Sequence, residues 1–427
     1  MNIGIELNDI GYDNVNMSRP DTGNPGIGGS EYLFLQLAFY LHKFYDDYNV
    51  VLLHYNEKSQ LPDGIKKVTV ENQYQMLDVC ENEKIDILVH QISKERAWYE
   101  YVKKKKVNLI AWAHIYPSYE ECRCIKECEN EKRIVFVGKE EYDYYLDDDI
   151  IEKSAWIYNM MDFGGEHKCR SHNYKKTVTY MGSLVPAKGF HELAKVWPRI
   201  VKKVPDAELN VIGTGRVYDR NQEMGKYGIA SKEYEESFMP YLTNSDGKIM
   251  DSVHFLGIVG TEKEDIFVQS AVGVVNPTAV GETFCLSAIE MELCGVPVVS
   301  RKLHGLMDTI RHNQTGLLFE NEKQFIEYIV YLLKNKDKNL ELSTQATEFV
   351  KENFDAKKIM SKWDDLLKKV YRNEKEVFDK PVKNFRNDKK NIKIIIRFLR
   401  FILHMRFVPS TMELREKIRN RRNANKR

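Results

Sequence analysis

"NPTAVGETFCLSAIEMELCGVPVV", residues 276–299, runs from a Pro- and Gly-bearing loop into apolar positions at helical spacing and out into a β-branched run. Its order is loop, helix, strand. A helix starting near Phe284 presents the backbone N–H groups of its first turn to the preceding loop, an anion site ready-made. Gly295 then closes the helix, and "VPVV" resumes a buried strand. Glu282 and Glu290 stand eight positions apart at either side of the helix start. Taken alone, such a pair is two surface carboxylates on a helix; the loop before it and the strand after it give it a setting.

The same alternation extends in both directions. Upstream, "NIGIEL", "NVVLLHY", "IDILVHQ", "VNLIAWAH", "RIVFVG" and "SAWIYN" read as buried strands with amphipathic stretches between several of them. A second series follows from "TVTYMGSL" through "AELNVIGTG", "SVHFLGI", "VGVVNP", "VPVVSR" and "TGLLF". Continuous apolar runs alternating with helices predict parallel sheets covered on both faces. The Gly- and polar-rich segment "MDFGGEHKCRSHNYKK" separates the series, so the expected organisation is two Rossmann-like α/β domains, 1–160 and 176–345. Residues 346–372 are expected to form a helix returning toward the first domain, and 373–427 a linker and basic tail.

Near the N-terminus, "NPGIGGSEYLF" places Gly28 and Gly29 before another helical pattern. Gly26, Gly28 and Gly29 read G-x-G-G, which is not the dinucleotide fingerprint G-x-G-x-x-G. The glycines let backbone approach a ligand closely. Ser30 is positioned to cap the helix, with Leu33, Phe34 and Leu37 facing the sheet.

Composition bounds the class. A chain of 427 residues with 43% hydrophobic and 30% charged residues is globular and large enough for two domains. Seven cysteines without framework spacing imply reduced thiols, and "ECRCIKEC" matches no zinc spacing. The start of the sequence shows no basic leader or long apolar run, which implies a cytoplasmic setting.

Charge is unevenly placed: 16 of the 64 Lys and Arg residues, but only 3 of the 63 Asp and Glu, lie from Lys380 onward. In "KKNIKIIIRFLRFILHMRF", Lys393, Arg397, Arg400 and His404 form one helical stripe, with Ile394, Ile395, Phe398, Phe401, Ile402 and Met405 on the other faces. Such a helix suits the plane of a membrane interface, so residues 390–408 are expected to meet an anionic membrane surface. The alternative is packing on the protein's own surface or on a second subunit. Nucleic acid is not expected as a partner, since the aromatics sit among aliphatics rather than on a stacking platform.

With these residues in place, the chain resembles the retaining glycosyltransferases of family 4, which have the GT-B fold of two Rossmann-like domains facing a cleft. The resemblance covers roughly residues 1–372: "GIGGSE", "WIYNMMD" with Asn159 and Asp162, "MGSLVPAKGF", the Glu-x7-Glu stretch with C-G-x-P-V-V, and "HGLMDTIRHNQTGLLF". It implies a nucleoside-diphosphate sugar donor, a UDP- or GDP-sugar, and a glycan or lipid-linked acceptor. Glu290 would accept hydrogen bonds from ribose hydroxyls, and Lys188 would neutralise the diphosphate as a point charge. Backbone N–H groups of Phe284, Cys285, Leu286 and Ser287 would hold phosphate and sugar oxygens. Glu282 would face the transferred sugar, and Gly28 and Gly29 would complete the site from the first domain. His114, at a strand end, would lie near sugar and acceptor; His90 and His304 are weaker candidates, as is donor contact from "GTGR" (213–216).

The resemblance also implies transfer of a hexose or N-acetylhexosamine with retention, no catalytic metal and no cofactor, on the inner face of a cell membrane. The run Asp147–Asp149 has a flavour of the metal-binding Asp-x-Asp of the other glycosyltransferase fold, but it sits in a helical-looking segment and reads as a solvated acidic end. One departure stands out. Where the family has Arg after Gly in the lysine loop, this chain has Ser183, a loss of about 1–3 kcal/mol from a phosphate clamp unless Arg301 or the hydroxyl substitutes. Alternatives are therefore a catalytically weak sugar-nucleotide-binding partner of another transferase and a sugar-nucleotide epimerase of the same fold.

Overall fold

β1 (Asn2–Leu7) opens the chain as an apolar run whose last five residues are buried, and it becomes an interior strand of a parallel sheet. The computed structural model describes residues 1–162, 167–171, 174–216, 222–260, 262–374 and 389–424. Parts of the 161–176 separator and of the 373–427 tail therefore lie outside the described residues. The chain divides into two units, Met1–Ser18 with Leu33–Asn159 and Lys357–Arg427, and Arg19–Tyr32 with Met160–Ala356.

The first unit is built on seven strands: β1, β2 (Asn49–His54), β3 (Lys66–Thr69), β4 (Ile87–Gln91), β5 (Asn108–Ala113), β6 (Glu131–Phe136) and β7 (Ser154–Trp156). They are ordered β3-β2-β1-β4-β5-β6-β7, all parallel. Four of the five residues of β4 and five of the six of β5 are buried, as a sheet covered on both faces requires. β3 escapes the apolar-run reading. Its sequence KKVT is largely exposed at the sheet edge, where Lys66 and Lys67 discourage further strand pairing.

The helix Gly29–Phe44 buries Leu33, Phe34 and Leu37. Ser30 does not cap it. The helix already begins at Gly29, with Tyr32 N–H donating to the Gly28 carbonyl at 3.0 Å, so Ser30 lies within the first turn. The helix Ala356–Tyr371 brings Trp363 edge-on to Trp112 of β5, ring centroids 4.9 Å apart, with both indoles buried.

The second unit carries β8 (Thr177–Met181), β9 (Glu208–Ile212), β10 (Val253–Gly257), β11 (Val272–Val274), β12 (Val298–Arg301) and β13 (Gly316–Phe319). Their parallel order is β10-β9-β8-β11-β12-β13. Around them the helices Phe190–Lys203 and Glu322–Lys334 bury Phe190, Trp197, Phe325 and Ile329 in one core. Strand order reverses between β8 and β11, so the loops leaving their C-terminal ends diverge and open a crevice, the place where ligands sit in open α/β sheets. Both units are Rossmann-like, the pairing that defines the GT-B architecture.

The tail departs from its expected orientation. A helix Lys390–Arg397 passes into a π-helical turn Phe398–Ile402, then a second helix spans Thr411–Ala424, all in the first unit. The helical run expected through 408 stops before His404, which takes a left-handed backbone at φ 55°. Lys393 and Arg400 of the cationic stripe are buried rather than turned outward. The reason is Asp147–Asp149, which is not a solvated end. Asp147 accepts from Thr411 N–H at 2.6 Å, Asp148 from Ser410 Oγ at 2.6 Å, and Asp149 pairs with Arg400 at 2.7 Å and Arg406 at 2.6 Å. A cation held in a charge-assisted hydrogen bond to a partly buried carboxylate gains more than one facing solvent alone.

Candidate functional site

Lys188 ends a 3-10 turn, Pro186–Lys188, in the loop leaving β8. Gly189 follows it at φ 72°, and a Cβ there would lie 2.7 Å from Thr278 Cγ2 and 2.9 Å from Thr278 N. Only glycine lets this loop lie against the one leaving β11. Thr278 then ties the two together, its hydroxyl donating to the Ala187 carbonyl at 2.8 Å. The contact fixes Lys188 opposite the loop that carries Glu282.

Lys188 Nζ lies 2.9 Å from Glu282 Oε2, and Asn276 Nδ2 donates to the same oxygen at 2.7 Å. Glu282 is almost fully buried, so its carboxylate is held by two donors rather than by water. Asn276 also accepts from Ala279 N–H at 3.0 Å, and Asn276 and Ala279 both adopt positive φ (32° and 59°). Two non-glycine residues in that region within one loop mark a backbone held by its hydrogen bonds in a costly shape, a feature that clusters at functional sites. From the other side, Gly305 N–H donates to the Glu282 carbonyl at 2.9 Å, and a Cβ on Gly305 would meet the Thr283 carbonyl at 2.0 Å.

The helix expected near Phe284 begins at Leu286 and runs to Leu293. Phe284 is buried with its ring edge-on to Phe354 at 5.3 Å, and Cys285 stays extended at φ −95°, ψ 92°, which delays the first turn. No side chain caps this helix. Ser287 and Glu290 lie within its first two turns, and burial pushes the Cys285 thiol well above its ordinary pKa. Glu290 Oε1 accepts from Lys263 Nζ at 2.7 Å, with both side chains mostly buried.

The segment Arg19–Tyr32 groups with this unit. A Cβ on Gly29 would come 3.7 Å from Leu286 Cδ1, which places the glycine beside the helix start. Tyr32 donates to the Pro20 carbonyl at 2.9 Å, and its phenol is shifted upward by burial and then by the Glu290 carboxylate. The structure thus gathers Gly28, Gly29, Lys188, Glu282, Leu286 and Glu290 into one unit. Ser183 sits in the loop after β8, where a Cβ on Gly213 of "GTGR" would lie 2.0 Å from the Gly182 carbonyl. The Arg301 guanidinium lies over the Phe319 ring, 5.6 Å from the centroid.

His114 belongs to the first unit, just past β5, where its ring meets Trp112 at 4.5 Å and Phe34 at 5.6 Å. Burial drives its pKa down to about 3, so the imidazole is neutral at ordinary pH. His90 is fully buried, its Nε2 2.9 Å from Glu131 Oε1 inside the sheet. Among the described residues no group of three or more His, Cys, Asp or Glu could hold a metal ion.

Asn276, Lys263, Thr278 and Gly305 were not singled out by sequence reasoning. Lys263 sits in "TEKED", which reads as a solvated charge run, so nothing local marks it. Gly305 beside a helix start and Asn276 at a strand end are the signals that were there to be used.

Against known proteins, the chain is similar to sugar-transferring enzymes. Over 194 residues it is 24% identical to a trehalose synthase of Pyrococcus horikoshii, 45% of this chain and 44% of that one. It is 23% identical over 208 residues to a GDP-mannose-dependent alpha-(1-6)-phosphatidylinositol monomannoside mannosyltransferase of Mycobacterium tuberculosis, 46% of each. The matching stretch thus spans less than half the length of these curated relatives. In structure it resembles Anabaena Alr3699/HepE, solved with UDP and glucose, at a TM-score of 0.60, 14% identity, 86% of this chain and 99% of that one. Residues 167–349, which contain Lys188, Glu282, Glu290 and Gly305, match the family model for glycosyl transferases group 1.

Proposed function

We propose that the chain is a retaining glycosyltransferase that moves a hexose or N-acetylhexosamine from a UDP- or GDP-sugar to a glycan or glycolipid acceptor. The observation that carries this reading is the Lys188–Glu282 pair at the β8/β11 crevice, inside the matched segment. Lys188 supplies the cation for the diphosphate, and the uncapped start of Leu286–Leu293 supplies N–H donors. Glu290 takes the ribose hydroxyls, while Glu282, steadied by Asn276, orients the sugar and stabilises positive charge at its anomeric carbon. The leaving phosphate assists deprotonation of the acceptor, so no dedicated nucleophile and no metal is assigned. His114, neutral, contributes hydrogen bonding to sugar or acceptor rather than charge.

Support comes from the nucleotide and sugars in the relatives' names: UDP and glucose in HepE, GDP-mannose and a phosphatidylinositol mannoside in the mycobacterial enzyme. Work on a lipid-borne acceptor, at the inner face of a cell membrane, is part of the proposal. The test is transfer by the purified full chain from a panel of UDP- and GDP-sugars, with product anomeric configuration read by NMR and with chelator present and absent. Wild-type rates in Glu290→Ala or Lys188→Ala would overturn the assignment of the site. Donor conversion without an acceptor would favour an epimerase, and donor binding without turnover a non-catalytic partner, the outcome that Ser183 favours.

A further inference from the structure

In the C-terminal segment two cations are buried while several large apolar side chains are exposed. Lys393 is fully buried, donating to the Tyr144 carbonyl at 2.6 Å with its ammonium over the Tyr144 ring. Arg400 lies on Asp149, and Arg406 bridges Asp149 and Glu152 at 2.6 Å each. Lys393 and Arg400 are thus buried, and Arg406, itself exposed, is held by two carboxylates. Ile396 and Met412 are buried with them, but several other large apolar residues of the same segment have no such cover. Ile395 is 61% exposed, Phe398 51%, Ile402 63% and Phe407 81%. Of the seventeen large apolar side chains exposed among the described residues, nine fall between Ile392 and Ile418. Scattered exposed apolar residues need no explanation, but a concentration of this kind marks an interaction surface. Ile395, Phe398 and Ile402 follow helical spacing, and the helix Thr411–Ala424 adds Leu414 and Ile418 four apart.

The charge that remains outside is basic. Lys417, Arg419, Arg421 and Arg422 are exposed on the second helix, against Glu413 and Glu416 as its only acids. Lys417 and Arg419 pair with those two acids, so the helix carries a net excess of surface cations beside exposed apolar side chains, a combination that complements an anionic bilayer, whose acyl boundary takes the apolar groups and whose headgroups take the cations. None of the helices among the described residues is long and apolar enough to cross a membrane.

We propose that the face formed by Ile395, Phe398, Ile402 and Phe407 docks the chain on an anionic membrane surface, with Lys393, Arg400 and Arg406 acting as an internal clamp that turns it outward. This rests on the reading that the protein works at a lipid surface, but it assigns the contact to the apolar face and the second helix, and removes the cationic stripe from it.

Co-sedimentation of the full chain with vesicles of phosphatidylcholine, alone or mixed with phosphatidylglycerol, tests it. Wild type is expected to bind the mixed vesicles and to bind pure phosphatidylcholine less. The triple variant Ile395→Ser, Phe398→Ser, Ile402→Ser should lose about tenfold or more in vesicle affinity. Its thermal midpoint and its transfer to a soluble acceptor should stay at wild-type values. Vesicle binding by the triple variant equal to wild type overturns the assigned face while leaving the lipid-surface reading standing. A wild type that binds neither vesicle overturns both. A wild-type dimer in light scattering that the triple variant abolishes assigns the face to a second copy and overturns the proposal.

Discussion

The ammonium of Lys188 lies 2.9 Å from Oε2 of Glu282, so the cation assigned to the donor's diphosphate and the carboxylate assigned to its sugar are direct partners. Removing the cation takes away a charge-assisted contact of about 1.5–3 kcal/mol, which corresponds to roughly 10- to 150-fold in rate. Lys188→Ala should therefore lower kcat/KM for the donor by that factor, with Lys188→Arg restoring part of it. Steady-state kinetics against the nucleoside-diphosphate sugar that the panel identifies checks this; an unchanged value removes Lys188 from the site.

Lys263 predicts a different signature. It is the ammonium that holds Glu290, and both side chains are mostly buried. Lys263→Met leaves the carboxylate without its charged partner, a loss of about 1–3 kcal/mol in stability. Urea unfolding should show it as a lower midpoint at unchanged m, and calorimetric titration should show weaker donor binding. Lys263→Arg should recover most of the stability.

Two glycines of similar standing in the sequence should behave unlike each other. A methyl group at Gly305 would overlap the Thr283 carbonyl at 2.0 Å, whereas Gly281, at φ 65°, has nothing within 4 Å of a Cβ. Gly281→Ala then carries only the backbone strain of a left-handed residue, about 1–2 kcal/mol. Gly305→Ala must displace the Glu282 loop itself, so it should yield protein with strongly reduced soluble expression or transfer activity. Thermal midpoints of the two variants, side by side, decide it.

His114 gives the acid side of the stability curve a definite slope. Its folded pKa of about 3 lies below the 6.5 of an unfolded histidine, so between those values the unfolded chain binds a proton that the folded chain does not. Stability is unaffected by this group above pH 6.5 and falls as pH drops from there toward 3. His114→Asn should lose less stability than wild type between pH 7.5 and pH 5 in urea titrations. Wild-type activity should also show no inflection near pH 6.5 assignable to this residue.

How much of this was legible depended on which forces act locally. Buried strands such as "NIGIEL" and "LIAWA" declare themselves because a sheet covered on both faces needs unbroken apolar runs. β3 did not, because an edge strand is kept in place by backbone pairing to β2 while its side chains face water. Glu282, Glu290 and Lys188 were reached through a family resemblance carried by their loops and helix start, yet their partners Asn276 and Lys263 are brought in by tertiary packing. The acidic run Asp147–Asp149 was misread for the same reason. Its partners lie more than 250 residues later, and no local pattern links a carboxylate to a threonine that distant.

That separation has a consequence for how the protein is made. Asp147 and Asp148 leave the ribosome 264 and 262 residues ahead of Thr411 and Ser410, with the whole of the second sheet synthesised in between. At about 5–20 residues per second, these carboxylates wait roughly 10–50 s for the groups that will cover them. For most of that interval Trp112 also lacks Trp363. The second unit has meanwhile emerged in full: Met160–Ala356 in one uninterrupted run, with its other segment, Arg19–Tyr32, made earlier. The unit that is begun first is finished last.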